Sequence, residues 1–389
     1  MLIHKTAHMT MLILAGLFVA VTAASCGRSA PAPILTPMPA ATIASTPTSA
    51  SSPTALPTRL PTTAPSTAPT VAPTSAPTVA TALTPVNAET TYLDNRSDAA
   101  ALIDSLYNAI NQHQYARAYS YWEDSPQRPG FDQFQAGYQD TASVQVTLGA
   151  IGLGAAAGNL YAPVPVTLSA KSTTGATQTY VGCYMLHVDQ PAMQATLPFM
   201  PWGIQSATVT QVDNNANTAD LMSHACDSFG SPPIPQPQPT ADPNDISMQR
   251  YIDNRSEPVE LLRSMFNAIN LNEYVRAYSY WESGAQNLPD LAQFEQGYGN
   301  TQAVTLTTGP VTSDAGAGQF HYQVPVTLKS QLKDGTIQTF VGCYQLHLSN
   351  PDMQTVPPFQ PMAIESANVK QVANDADTGP LMNQMCGMP

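Results

Sequence analysis

The chain has 389 residues, of which only 11% are Asp, Glu, Lys or Arg, and it carries 36 prolines. An ordinary soluble protein holds about 25% charged residues and roughly 5% proline, so a single conventional cytosolic enzyme filling this length is excluded. The net charge of −13 comes with no basic stripe. That excludes the electrostatic footprint of nucleic-acid binding and of a basic face on anionic lipid.

The first residues read as an export address. His4, Lys5 and His8 open the chain, an uncharged apolar run extends from Met9, and the small residues Ala23, Ala24 and Ser25 lead to Cys26. A basic start, apolar middle and small-residue end make a secretory signal peptide over residues 1–25. The run is shorter than the roughly 20 residues of a membrane span. Ala23-Ala24-Ser25-Cys26 resembles the lipobox of bacterial lipoproteins, with Ala23 standing where Leu is usual. The resemblance implies that Cys26 becomes a lipidated N-terminus, anchored to the cell envelope and facing outside the cytoplasm. Cleavage after Ala23 or Ala24 would instead release a secreted protein.

Residues 26–90 are Pro, Thr, Ala and Ser almost throughout, with Arg28, Arg59 and Glu89 as their only charges. Too little large apolar surface is present to offset the ordering of the chain, so a disordered tether is expected. Regular prolines favour extended polyproline II, a semi-rigid spacer, and the Thr and Ser residues are O-glycan acceptors by composition. A second Pro-rich linker occupies 231–247.

The two remaining segments, 91–230 and 248–389, are copies of one another. Tyr92–Glu123 and Tyr251–Glu282 are identical at 19 of 32 positions, with an offset of 159. The offset then becomes 160, aligning Val164-Pro-Val-Thr-Leu168 with Val324-Pro-Val-Thr-Leu328 and Val181-Gly-Cys-Tyr184 with Val341-Gly-Cys-Tyr344. A period this long marks a duplicated domain rather than a solenoid unit, and each copy is long enough for its own core.

Five cysteines are present. Lipidation consumes Cys26, and the others fall into two pairs of equal spacing, Cys183 with Cys226 and Cys343 with Cys386. In an exported protein these pairs become disulfides. Neither Cys has a second Cys or His at zinc-ligand spacing, so no metal and no cofactor are expected.

Within copy one, Ser97 reads as an N-cap, followed by Leu102, Ile103, Leu106 and Ile110 at helical spacing. Copy two repeats this with Ser256, Leu261, Leu262, Met265 and Ile269, and Asn111 and Asn270 fit the helix ends. Second helices are expected over Tyr115–Trp122 and Tyr274–Trp281, and a third piece around Phe131–Tyr138. The Val, Thr and Tyr content then predicts strands over 143–150, 160–170, 177–188 and 204–212, and a short helix at about 217–225. Alternation along 177–188 puts Tyr180, Gly182, Tyr184, Leu186 and Val188 on one face and Val181, Cys183, Met185 and His187 on the other. The aromatic face should meet the helices, and the disulfide should fasten the last helix near the opposite face or edge.

Helices followed by antiparallel strands give an α+β class. The run Ala118-Tyr-Ser-Tyr-Trp-Glu123, the Gly137-Tyr138 turn and the late Trp202-Gly-Ile204 strand start resemble the NTF2-like (cystatin-like α+β cone) family. The resemblance implies, in each copy, N-terminal helices cupped against a curved antiparallel sheet. It covers both copies and not the tethers. Members include enzymes, binding pockets and accessory envelope domains, so fold alone does not select an activity.

Enzymes of that family place a carboxylate, His or Tyr in the cone. Here the duplication removes most candidates: Asp104 faces Arg263, Tyr107 becomes Phe266, His113 becomes Asn272, His224 becomes Gln384, and Tyr161 becomes His321. The shared polar set is Asp94, Asn95, Arg96, Arg117, Glu123 and His187, with their copy-two counterparts Asp253, Asn254, Arg255, Arg276, Glu282 and His347. Asp94 and Arg96 read as a salt-bridged corner fixing chain entry, and Arg117 and Glu123 as ties from the second helix to a neighbour. His187 and His347 are the candidates for general acid–base work. Tyr119, Trp122 and Tyr138, with Tyr278, Trp281 and Tyr298, are candidates for a pocket or groove as well as for core. No phosphate loop, zinc helix or nucleophile elbow is present.

These observations lead to the expectation of a surface-anchored, non-catalytic lipoprotein presenting two modules for binding or envelope assembly. Its partners would be the membrane through the lipid, and an envelope or extracellular protein, glycan or small ligand, with no nucleic acid. The alternative is a small-ligand receptor or enzyme using a cone pocket in at least one copy.

Overall fold

The computed structural model describes residues 91–126, 128–229 and 251–387. The expected signal peptide, Cys26, the tether and the linker lie outside these residues. The described part is α+β, built of two five-stranded antiparallel sheets with helices packed on them.

Copy one opens with α1 (Ala99–Asn111), α2 (Tyr115–Tyr119) and α3 (Phe131–Ala136). Strands β1 (Thr141–Leu148), β2 (Gly154–Ala156), β3 (Asn159–Ser172), β4 (Thr177–Asp189) and β5 (Gly203–Val212) follow, and α4 (Thr218–His224) closes the copy. The sheet order is β1-β3-β4-β5, with β2 paired on β3. Copy two repeats this with α5 (Pro258–Asn270), α6 (Tyr274–Tyr278) and α7 (Leu291–Tyr298). Then come β6 (Thr301–Thr308), β7 (Thr312–Gly316), β8 (Gln319–Leu332), β9 (Ile337–Ser349), β10 (Ala363–Val372) and α8 (Thr378–Met385). The short strands β2 and β7 fall in Gly-rich stretches that carry no strand pattern in the sequence.

The first helix forms because its apolar residues recur every three to four positions. Leu102, Ile103, Leu106 and Ile110 are buried against Val144, Val164, Val166, Tyr184, Leu186 and Val188. Each such side chain contributes about 1.5–3 kcal/mol on burial. The helix-facing set on β4 is therefore the aromatic one, as the alternation indicated. Asn111 does more than end the helix: its side-chain amide donates to Val144 O at 2.9 Å and accepts from Val144 N at 2.7 Å. This mimics a strand partner for the edge of β1, and Asn270 does the same for Val304 on β6. The left-handed turn follows two residues later, at His113 and Asn272, with φ of 57° and 58°.

Two local expectations are corrected. The second helix stops at Tyr119 and not at Trp122, because the next residues are captured by the sheet. Ile204 N donates to Tyr121 O at 2.8 Å, and Glu123 N donates to Ile204 O at 3.0 Å. Trp122 thus forms a parallel bridge with Ile204, as Trp281 does with Ile364. Likewise, the N-cap of α1 is Asp98, whose carboxylate accepts from Ala101 N at 2.9 Å, and Ser97 bonds elsewhere.

The repeated Val-Gly-Cys-Tyr motif has a packing reason at each position. Val181 and Tyr184 are buried on opposite faces of β4, and Cys183 is bonded to Cys226. A Cβ on Gly182 would come within 2.2 Å of Thr208 O on β5, so only Gly lets the two strands approach. Cys343 is bonded to Cys386 in the same way. The disulfides hold the chain after α4 and after α8 to the face of each sheet away from the core, where Met222 packs over Gly149 and Thr167. Disulfides of this kind fit an oxidising, non-cytoplasmic compartment. Among the described residues no helix is long and apolar enough to cross a membrane.

Candidate functional site

The shared Asp-Asn-Arg-Ser segments meet. Arg96 N donates to Asp253 O at 2.6 Å, and Arg255 N donates to Asp94 O at 2.7 Å. Asp94 N donates to Ser256 Oγ at 2.9 Å, and Asp253 N to Ser97 Oγ at 3.0 Å. Asn95 and Asn254 form an antiparallel bridge at the centre. Each bond in one direction has its mirror in the other, the pattern of an isologous interface realised inside one chain.

Behind this seam the polar residues are tightly held. Asp94 accepts from the Tyr121 hydroxyl at 3.1 Å and from the Tyr92 hydroxyl at 3.1 Å, and lies 3.7 Å from Arg96. The Arg96 guanidinium sits over the Tyr121 ring, 4.7 Å from its centroid, and donates to Ser120. Arg255 repeats this over Tyr280 at 4.6 Å, donating to Ser279. Burial pushes the Tyr121 and Tyr280 hydroxyls well above their ordinary range, and the neighbouring carboxylates add to the rise. Arg117 is fully buried and donates to Leu93 O and to Asn108 Oδ1. It ties its helix to the chain entry, as Arg276 does through Ile252 O and Asn267 Oδ1.

A cleft of about 590 Å³ opens beside the seam. Copy one contributes Asp94, Arg96 and the Leu197-Pro198-Phe199 turn, and copy two contributes Asp253, Arg255, Tyr278, Trp281, Glu282 and Leu288. Tyr278 and Trp281 therefore stand at a cleft. Tyr298 does not: it packs on Phe294 at 5.1 Å between ring centroids, and burial pushes its hydroxyl up to about 12. In copy one, Tyr119 packs on Phe131 and Phe134, Trp122 lies between Phe134 and Tyr184, and Tyr138 rests on Phe134. Those three rings form one packed cluster.

The space between helices and sheet is filled in each copy. In copy one the buried hydroxyls of Tyr107 and Tyr184 hydrogen-bond to each other at 2.7 Å. In copy two Phe266 meets the buried Tyr344 edge-on at 6.1 Å. His187 points to the opposite face of its sheet, where its Nδ1 donates to Glu123 at 2.7 Å. The His187 ring stacks on Tyr161 at 4.9 Å, and its Nε2 lies 3.4 Å from Asp189 without hydrogen-bond alignment. His347 donates to Glu282 and stacks on His321 at 4.9 Å. The neighbour that Glu123 ties to the segment after α2 is therefore His187 on β4. The sequence showed both residues in the shared polar set, and their common retention was the signal for their contact. Among the described residues no group of three or more His, Cys, Asp or Glu side chains is arranged to hold a metal ion.

No protein-family model matches the chain, and no curated protein matches it. Among solved structures it is similar to the crystal structure of a proposed dehydratase of the NTF2-like family from Streptomyces avermitilis. The identity is 11% and the TM-score 0.22, over 29% of this chain and 91% of that one.

Proposed function

We propose that this is an exported envelope protein, lipidated on Cys26, whose two NTF2-like copies are joined into one non-catalytic binding body. The cleft beside their seam takes the ligand. One observation carries the reading: the roomy, mixed-polarity cleft lies at the joint, while the cones are occupied by their own aromatic side chains. Sites of 300–1,000 Å³ at the boundary between units, lined by aromatic and apolar groups with a few fixed polar ones, are the usual form of ligand sites. A packed cone leaves a cone-based enzyme or receptor without a place for its substrate. The net acidity of both copies supports a partner other than nucleic acid.

The reading is tested by sedimenting the full mature chain with purified bacterial cell-envelope material. Binding above that of an unrelated acidic protein of equal size is expected. Equal sedimentation would remove the binding role. Mass spectrometry of the N-terminal peptide separately tests Cys26, where a diacylglyceryl adduct is expected and a free thiol would leave a secreted protein.

A further inference from the structure

We propose that the seam cleft is a saccharide site for a short neutral oligosaccharide, an assignment that rests on the binding role above. Tyr278 and Trp281, each packed on a core aromatic, line the cleft, and they are the side chains against which the C–H face of a sugar ring would lie. Arg96 and Arg255 supply donors and Glu282 an acceptor at the same cleft. The two guanidinium groups are fixed before any ligand arrives, each stacked on a Tyr ring, bonded to a Ser and held by its own Asp. Glu282 is likewise held by His347 while its side chain stays 31% exposed. Groups already immobilised cost little further entropy on binding.

Charge selects a neutral ligand. Each Arg is matched by an Asp 3.6–3.7 Å away, so the floor has donors and acceptors but little net charge to attract an ion. A polyol uses both kinds of group through hydroxyls that donate and accept.

The divergence of the copies points to the same site. In copy one, Arg128 covers the corresponding aromatic surface. Its guanidinium lies 4.3 Å over Tyr119, donates to Trp122 O at 3.1 Å, and pairs with Asp124 at 2.9 Å. In copy two the aligned residues are Leu288 and Ser283, and both line the cleft. Copy two thus lacks the Asp–Arg cap beside Tyr278 and has Leu288 there instead.

The test grafts the cap back. The full chain and its S283D/L288R variant are titrated calorimetrically with cellobiose, diacetylchitobiose and maltotriose. Copy one carries an Asp–Arg pair at the corresponding positions, one residue closer in sequence, and the graft is accepted as a test only where the variant keeps its circular dichroism and melting temperature. At least one sugar should bind the parent with a Kd near or below ~1 mM, and the graft should weaken it tenfold or more. L288A, which removes the apolar wall without adding a cap, should weaken binding, but by less than the graft does. Silence from all three sugars, or equal binding by the capped variant, would overturn the assignment. Silence with envelope sedimentation intact defeats the saccharide class alone, whereas loss of sedimentation defeats the binding role itself.

Discussion

Ser97 Oγ accepts the backbone N–H of Asp253 at 3.0 Å, and Ser256 Oγ returns the bond to Asp94 N at 2.9 Å. The two serines hold the copies to one another across the seam, each 156–162 residues from its partner in the chain. Each such bond is worth about 0.5–1.5 kcal/mol. The S97A/S256A variant is therefore expected to lose roughly 1–3 kcal/mol. It should also separate a single calorimetric transition into two. A variant that melts as one unit at the parent temperature would show that the seam does not couple the copies.

The buried arginines differ in a way that predicts unequal costs. Arg276 donates to Glu273 at 2.5 Å. Burial pushes the Glu273 carboxyl up, and Arg276 draws it part of the way back. In copy one the aligned residue is Gln114, which instead reaches Asp352 of copy two at 2.7 Å. Arg276→Met strands a buried carboxylate, at a cost of about 3–5 kcal/mol. Arg117→Met strands only carbonyl groups, about 1–3 kcal/mol. Urea midpoints measured side by side check the order, and a larger loss for R117M contradicts it.

Gly182 and Gly342 should tolerate no side chain. Cβ atoms there would lie 2.2 Å from Thr208 O and 2.5 Å from Asn368 O. Both acceptors are backbone and cannot swing away, so Gly→Ala at either position is expected to cost at least ~3 kcal/mol. Near-parent stability of G182A in thermal unfolding would mean that β5 can retreat.

Each disulfide closes a separation of 43 residues, worth about 4 kcal/mol by chain entropy. The Cys183→Ser/Cys226→Ser pair should lower stability by about that amount. Limited proteolysis should then cleave first around α4, which the bond fastens. Unchanged protease resistance would place the helix under other control.

Alkali should unfold the protein early. Burial pushes the Tyr184 hydroxyl up to about 12, against a hydrogen bond from Tyr107 that lowers it, and burial alone raises Tyr298 to about 12. Because the folded values lie above the unfolded value near 10, the stability is fully present below pH 10. It is lost as pH rises from 10 through 12. Two units correspond to roughly 3 kcal/mol per tyrosine. Guanidinium midpoints at pH 9 and 11.5 measure the fall, and equal midpoints would contradict it.

Strand period, cysteine spacing and duplication make the sheets legible in the sequence, because those signals are local or internally repeated. The two faces of β4 follow from alternation alone. Ser97 looks like a cap from nearby residues because it precedes an apolar helix, but its partner lies in the other copy. Trp122 reads as helical for the same reason, since its neighbours favour helix while Ile204, 82 positions away, captures it. The His187–Glu123 contact joins β4 to the segment after α2, and no spacing rule links them. The cleft was invisible because it belongs to neither copy by itself.

The reciprocal loops also fix where mechanical load enters. Thr91 O is gripped by Asn108, Leu93 O by Arg117, and Asp94 O by the other copy. A pull on the chain ahead of Thr91 reaches these bonds before it reaches either sheet. The first bonds loaded tie the chain entry to α1 and α2 of copy one, and the joint bond at Asp94 O comes next, so a force applied there is shared between one copy and the seam before any strand is pulled.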